Sequence, residues 1–237
     1  MPMTYEDWMA AAAEEYERLR RLLIQLEPDE WSRPTDCSEW DVREMVSHLV
    51  GAAESTASVR EMTRQAIRGH QVRRLGDLID KMNALQVLER AHHDGPHLVG
   101  ELIDAGRRGV AARARLPRPV RALRIPFGPP LGVRPLGYLM GSIYTRDAWL
   151  HRVDISRATA RPLALTAEHD GRIVDDVVQE WAATHGSSFS LELTGPAGGR
   201  WERGSGGPTL RLDAVDMCRC LSGRAEADGL LAVSVPF

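Results

Sequence analysis

The sequence is poor in several things that would have announced a function. It has three cysteines, one lysine (Lys81) among 30 basic residues, and 5% aromatic residues. It has no apolar run approaching the roughly 20 residues that span a bilayer. Each shortage excludes a class. The cysteines (Cys37, Cys218 and Cys220) are odd in number, and the Cys-x-Cys pair is too tight for an ordinary disulfide. A reducing, cytoplasmic setting is therefore expected. The opening MPMTYEDWMAAAAEEYERLRRLL lacks the basic and apolar regions of a signal peptide. Against 30 basic residues stand 33 acidic ones, a formal net charge of -3. That leaves no concentrated basic surface of the kind nucleic acid requires. Arginine in place of lysine, with abundant alanine, is the coding habit of a GC-rich genome such as those of actinobacteria. What remains is an ordinary globular profile, 43% hydrophobic and 27% charged. At 237 residues it is long enough for one large domain or two modest ones.

Helical periodicity dominates the first part of the chain. Thr4 with Asp7 resembles a capping box, and an amphipathic pattern follows to about Leu26. Ser38 with Asp41 marks a second start, predicting a helix from Glu39 to about Ile67. Its apolar face is Val42, Met45, Val46, Leu49, Val50 and Ala53. A third helical region covers about Met82 to Leu116, interrupted at HHDGPH, where Gly95 and Pro96 end one helix and start the next. The proline-rich PRPVRALRIPFGPPLGVRP reads as an ordered long loop before a fourth helix, about Leu136 to Ala158. Helices of this length and polarity predict a four-helix bundle whose core hosts a site. The character then changes. TAEHDGRIVDDVVQEWAATHG predicts one more helix, with Thr166 as its N-cap. SFSLEL and TLRLDA alternate like strands, GSGGP reads as a hairpin turn, and AVDMCRCLSGRA as a short helix closed by Gly223. The expected fold class is α+β, mainly α: a four-helix bundle over residues 1–164 and a small C-terminal domain over 165–237.

The fourth helix carries an anomaly. Its apolar stripe of Leu136, Leu139, Met140, Ile143 and Leu150 also runs through Asp147, His151 and Asp154. A buried carboxylate without a partner costs several kcal/mol, so the pattern demands a metal, a base or hydrogen-bond donors. Asp147 and His151, at i and i+4, project from one face. Carboxylate oxygen and imidazole nitrogen are what zinc and other first-row divalent metals accept. A third ligand has to come from another helix. The best placed is His48, at the edge of the apolar face beside Met45 and Ala52. Taken singly, each residue also has a bland reading, a satisfied histidine or an exposed Asp–His pair.

Other features read more simply. His92, His93 and His97 form a cluster at a helix break that is open to opportunistic metal binding, with no functional role expected of it. Cys37 reads as a small packing residue. GSGGP lacks the lysine and strand–helix context of a phosphate loop. Trp31, Trp40 and Trp149 fit packing around the bundle, with Trp149 placed to line an entrance.

EWDVREMVSHLVGAAES closely resembles the first histidine helix of the DinB-like maleylpyruvate isomerase family, the mycothiol-dependent metalloenzymes of actinobacteria. PTDCSEWDV, YTRDAWLHRVDISRATARPL, LTGPAGGRW and CRCLSGR resemble it in the same order, across nearly the whole chain. The resemblance implies a DinB-like four-helix bundle followed by a small C-terminal α/β domain. It implies a divalent metal, usually zinc, on two histidines and one acid, which carries over to His48, Asp147 and His151. The family's acid is typically glutamate, one methylene longer than Asp147, a departure that bears on metal choice and geometry. Arg224, in the tail's SGR, is implied as a residue that holds an anionic group. Asp154 is expected to orient an imidazole or to bond an arginine such as Arg146 or Arg152.

The implied activity is a metal- and mycothiol-dependent isomerase or transferase. Three ligands leave a coordination position open, and a thiol bound there is deprotonated. The thiolate then adds to a small electrophile. With a cis-enedione acid such as maleylpyruvate, addition, rotation and elimination give isomerisation; with other electrophiles the product is a conjugate. The expected partners are a small-molecule electrophile and a low-molecular-weight thiol. Neither nucleic acid nor membrane is expected, and the chain is a monomer or homodimer. Two other classes fit the same residues. One is a hydrolase using metal-bound water, with Asp154 the one obvious base. The other is a non-enzymatic bundle with a vestigial site. Dependence on added thiol separates them.

Overall fold

Apolar faces of four helices meet in a single core. The computed structural model describes residues 2–73, 76–128 and 131–237. Among these, α1 (Tyr5–Leu23), α2 (Val42–Ala57), α3 (Val59–Gly69), α4 (Leu78–Glu89), α5 (Gly95–Ala114) and α6 (Tyr144–Thr159) form the first of two units, Tyr5–Arg161. Its core joins Leu19, Leu22 and Leu23 of α1, Met45, Leu49 and Ala53 of α2, Leu98, Leu102 and Ala105 of α5, and Ala148 and Ile155 of α6. The fold is α+β and mainly α, as the periodicity predicts.

Several local readings are corrected. The predicted helix from Glu39 to Ile67 is two helices. Its start is three residues later than Ser38 suggests: Asp41 is the N-cap, boxed with Glu44. It breaks at Ser58, whose backbone is extended (φ -154°, ψ 127°). The hydroxyls of Ser55 and Thr56 donate to the carbonyls of Ala52 and Ala53, the local side-chain competition that weakens a helix end. α4 begins four residues before Met82, at Leu78, on an Asp77 cap. The proline-rich stretch is not a plain loop. It holds a one-turn helix (Arg118–Arg121) and a two-stranded antiparallel ribbon of β1 (Arg124–Pro126) and β2 (Val133–Pro135). Pro129 and Pro130 of that stretch lie outside the described residues.

The fourth predicted helix is continuous but not uniform. A π segment, Leu139–Ile143, precedes α6. Its wider turn rotates the faces on either side, so Leu136 and His151 do not share one straight stripe. α6 itself is buried on nearly every side, from Thr145 to Ser156 with Asp147 half-buried. A helix in that position has to neutralise its own polar groups. Arg152 does so on Glu15 of α1, which is fully buried (Nε–Oε1 2.5 Å).

The second unit is Pro162–Phe237 with the first few residues of the chain. Thr166 caps its leading turn, accepting from the His169 N–H, and α7 (Arg172–His185) follows. Strands β3 (Phe189–Thr194), β4 (Gly199–Arg203) and β5 (Thr209–Asp213) form a sheet in the order β4-β3-β5, with β4 antiparallel and β5 parallel to β3. β4 was not anticipated from the sequence, and it corrects GSGGP. That segment is not a hairpin turn, because the strands it joins lie on opposite edges of β3. It crosses the start of β3 so closely that a Cβ on Gly207 would sit 2.0 Å from the Ser188 carbonyl oxygen. α8 (Ala214–Leu221) starts on an Asp213 cap and ends before Gly223 in a left-handed conformation (φ 77°). No helix among the described residues is long and apolar enough to cross a membrane.

Charge ties α3 to α4. Arg64 grips Glu61 and Glu89, each at 2.6 Å. Its hydrogen bonds hold both carboxyls below their ordinary 4.5. Folded values below unfolded ones mean a contribution present above about pH 4.5 and lost as pH falls through the depressed values. Thermal melts followed by circular dichroism are expected to drop more steeply with acidification in wild type than in Glu89→Gln. Parallel pH profiles would show that the clamp adds nothing.

Candidate functional site

His48 lies two turns into α2, while Asp147 and His151 lie one turn apart on α6. The structure brings all three together: one ligand atom from each lies within 4.8 Å of the others. His48 Nε2 is 3.4 Å from Asp147 Oδ2, and His151 Nε2 is 3.3 Å from Asp147 Oδ1. The carboxylate thus faces the same nitrogen of both rings. The rings are edge-to-face, 5.3 Å between centroids. Both histidines are 4% exposed, so His48 sits inside the core rather than at its boundary. The Asp147 side chain keeps 24% of its surface and is the most accessible of the three.

The far nitrogens are taken. His151 Nδ1 is 3.1 Å from Asp154 Oδ2, and His48 Nδ1 is 2.8 Å from Gln86 Oε1. Asp154 is wholly buried and orients an imidazole, one of the two roles expected of it. Burial works against charge on both Asp147 and His151. Their mutual attraction overcomes it. Asp147 is held well below the usual carboxylate range by His151 and His48, and His151 is pushed up to about 9 by Asp147 and Asp154. Two rings and one carboxylate this close attract a cation, whether proton or metal.

Sequence reasoning missed two residues here. Trp40 stacks on His48 (centroids 4.8 Å, interplanar 28°) and lies 5.9 Å from the His151 ring. It precedes the α2 cap, and aromatic residues near a helix start carry no signal of a site. Gln86 is 2% exposed on α4. A glutamine among Leu85, Val87 and Leu88 was the available clue. Trp149, expected at an entrance, is 0% exposed and is a core residue.

Arg224 belongs to the C-terminal unit, where its N–H donates to the Arg219 carbonyl at the end of α8. His93, His97 and Glu101 do cluster, with His93 Nδ1 3.0 Å from Glu101. Arg90 lies 3.4 Å from the same carboxylate, so a cation there meets a guanidinium already in place. No disulfide joins the three cysteines; Cys218 is buried and Cys37 and Cys220 are partly so.

Residues 12–156 match the family model of the mycothiol maleylpyruvate isomerase N-terminal domain. Two solved structures share the fold. The crystal structure of the mycothiol-dependent maleylpyruvate isomerase is 14% identical with a TM-score of 0.63. That of a histidine-to-alanine mutant of the mycothiol-dependent maleylpyruvate isomerase is 13% identical with a TM-score of 0.62. Each likeness covers 94% of this chain and 90% of the other. No curated protein matches the chain.

Proposed function

The chain belongs to the mycothiol maleylpyruvate isomerase family, and from there we propose a divalent-metal-dependent enzyme that uses mycothiol to isomerise, or to conjugate, a small electrophile of the maleylpyruvate kind. The observation that carries this reading is the convergence of His48, Asp147 and His151 within 4.8 Å from two helices. The donor set fits a divalent cation, zinc first among them: two imidazoles and one carboxylate, a count that leaves a position open. Both Nδ1 atoms are engaged, so both rings present Nε2. A cation there supplies Lewis acidity that keeps a thiol ionised near neutral pH.

The protein groups have separable tasks. Asp147 brings the negative charge that balances a cation. Asp154 holds the His151 ring and raises its basicity. Trp40 covers one side of His48. Arg224 keeps an anion-holding role on the family resemblance alone. The isomerisation is thiol chemistry. Sulfur adds to one carbon of the cis double bond, and the π pair moves to the conjugated carbonyl oxygen. The resulting single bond rotates. The pair then returns, the double bond re-forms trans, and the thiolate leaves. Thiol is regenerated and nothing is oxidised.

The test is a maleylpyruvate isomerisation assay with and without mycothiol, on protein as purified, after chelator dialysis and after zinc is restored. Turnover is expected to need both thiol and metal. Metal-dependent ester hydrolysis without thiol would replace this reading with a hydrolase. Neither turnover nor thiol binding would leave a binding bundle.

A further inference from the structure

Behind His48 runs a buried chain of amides across three helices. Gln86 on α4 is 2% exposed and Gln65 on α3 is 0% exposed. Gln65 Nε2 donates to the Gly51 carbonyl (3.0 Å) and to Glu61 Oε1 (3.0 Å). Gln86 Nε2 donates to Gln65 Oε1 (2.8 Å), and Gln86 Oε1 faces His48 Nδ1 (2.8 Å).

Donor and acceptor roles follow from the far end. A backbone carbonyl and a carboxylate only accept. Together they use both N–H bonds of Gln65, which leaves its oxygen toward Gln86. An oxygen there requires the amide nitrogen of Gln86, so Gln86 turns its own oxygen to His48. That oxygen accepts from one kind of partner, a protonated Nδ1. Glu61 is itself held by Arg64. The stem of Gln86 lies on the bare backbone of Gly51, where a Cβ would fall 2.4 Å from Gln86 Cγ. The relay therefore has one direction and little room to shift.

We infer that Gln86 and Gln65 are positioning residues that fix His48 as the Nδ1–H tautomer and so aim the Nε2 lone pair at Asp147. This deepens the proposed function and rests on it for the metal. The consequence is geometric. An Nε2 lone pair 3.4 Å from a carboxylate is repulsive unless a cation lies between them. The relay keeps the site poised for one. It also makes the two rings unequal, since His48 is backed by a neutral amide and His151 by the Asp154 carboxylate.

Two measurements test this on the full chain. The first is 15N NMR of metal-free protein labelled at histidine, taken to alkaline pH until the ring is neutral. His48 is expected with a proton on Nδ1 and none on Nε2. The Nε2–H tautomer would overturn the relay. The second is zinc affinity by chelator competition, with the cobalt(II) visible spectrum and a thermal melt for each variant. Gln86→Met keeps the volume and removes the acceptor. Affinity is expected to fall roughly 10–100-fold, with a changed cobalt spectrum. Gln86→Glu restores an acceptor at Nδ1 and is expected to recover most of that loss. Wild-type affinity in Gln86→Met, or no recovery in Gln86→Glu with both variants folded, would overturn the inference. Wild type that takes up no divalent ion yet shows the Nδ1–H tautomer would sink the metal reading and leave the relay standing.

Discussion

Asp147→Asn is expected to stay folded and to lose divalent-metal affinity by more than roughly 100-fold. Removing an outer partner of a ligand typically costs 10–100-fold, and Asp147 is proposed as a ligand rather than a partner. The substitution keeps shape and volume while removing the carboxylate charge that faces both Nε2 atoms. Without metal, the variant loses the attraction of Asp147 that, together with Asp154, pushes His151 up to about 9 against the cost of burial. His151→Ala is a poorer probe, since it also strips a partner from the wholly buried Asp154. Asp147→Glu is the informative companion. It keeps the charge on a side chain one methylene longer, the acid that the family resemblance implies, and is expected to keep the metal. Elemental analysis after dialysis, with circular dichroism on the same samples, reads both. An Asp147→Asn protein that holds as much metal as wild type would remove Asp147 from the site.

Much of this site was readable from the chain because it breaks a rule. Asp147, His151 and Asp154 interrupt the apolar sequence of a helix buried on nearly every side, and polar residues among apolar ones are visible without coordinates. His48 was readable from the apolar face of α2 and the family resemblance. Its depth was not, because a residue at the edge of one helix's face is buried or exposed according to what a second helix places over it. The relay left almost no trace. Gln65 lies on a helix with two buried residues, Gln65 and Gly69, so periodicity there speaks of an exposed segment. The break at Ser58 and the π segment before α6 escaped for a related reason. Both are one-residue events that shift phase without changing composition. β4 escaped because GRWER alternates weakly, with no fully buried residue to mark it.

The two tryptophans near the site are expected to behave oppositely, and the difference separates packing from function. Trp149 is 0% exposed and among the largest fully buried side chains. Truncating such a residue removes its transfer free energy and leaves a cavity that surrounding helices fill only in part. Trp149→Ala is therefore expected to cost about 3–5 kcal/mol, a large share of the roughly 5–15 kcal/mol that holds a typical domain together. Trp40 is only partly buried, packed against the core that joins α1, α2, α5 and α6. Its ring lies against His48 and His151, and an aromatic contact of this kind adds about 0.5–1.5 kcal/mol beyond area burial. Trp40→Ala is expected to unfold at a urea midpoint closer to wild type. Its main effect is expected on zinc affinity, because the His48 ring loses the indole stacked on one of its faces. Urea unfolding of metal-free protein and zinc competition on the folded variants read the two effects independently. Equal stability losses with unchanged zinc affinity in Trp40→Ala would mean that the stacked indole is bundle packing and nothing more. A stable Trp149→Ala with weakened zinc binding would return Trp149 to the entrance that its place in the sequence suggests.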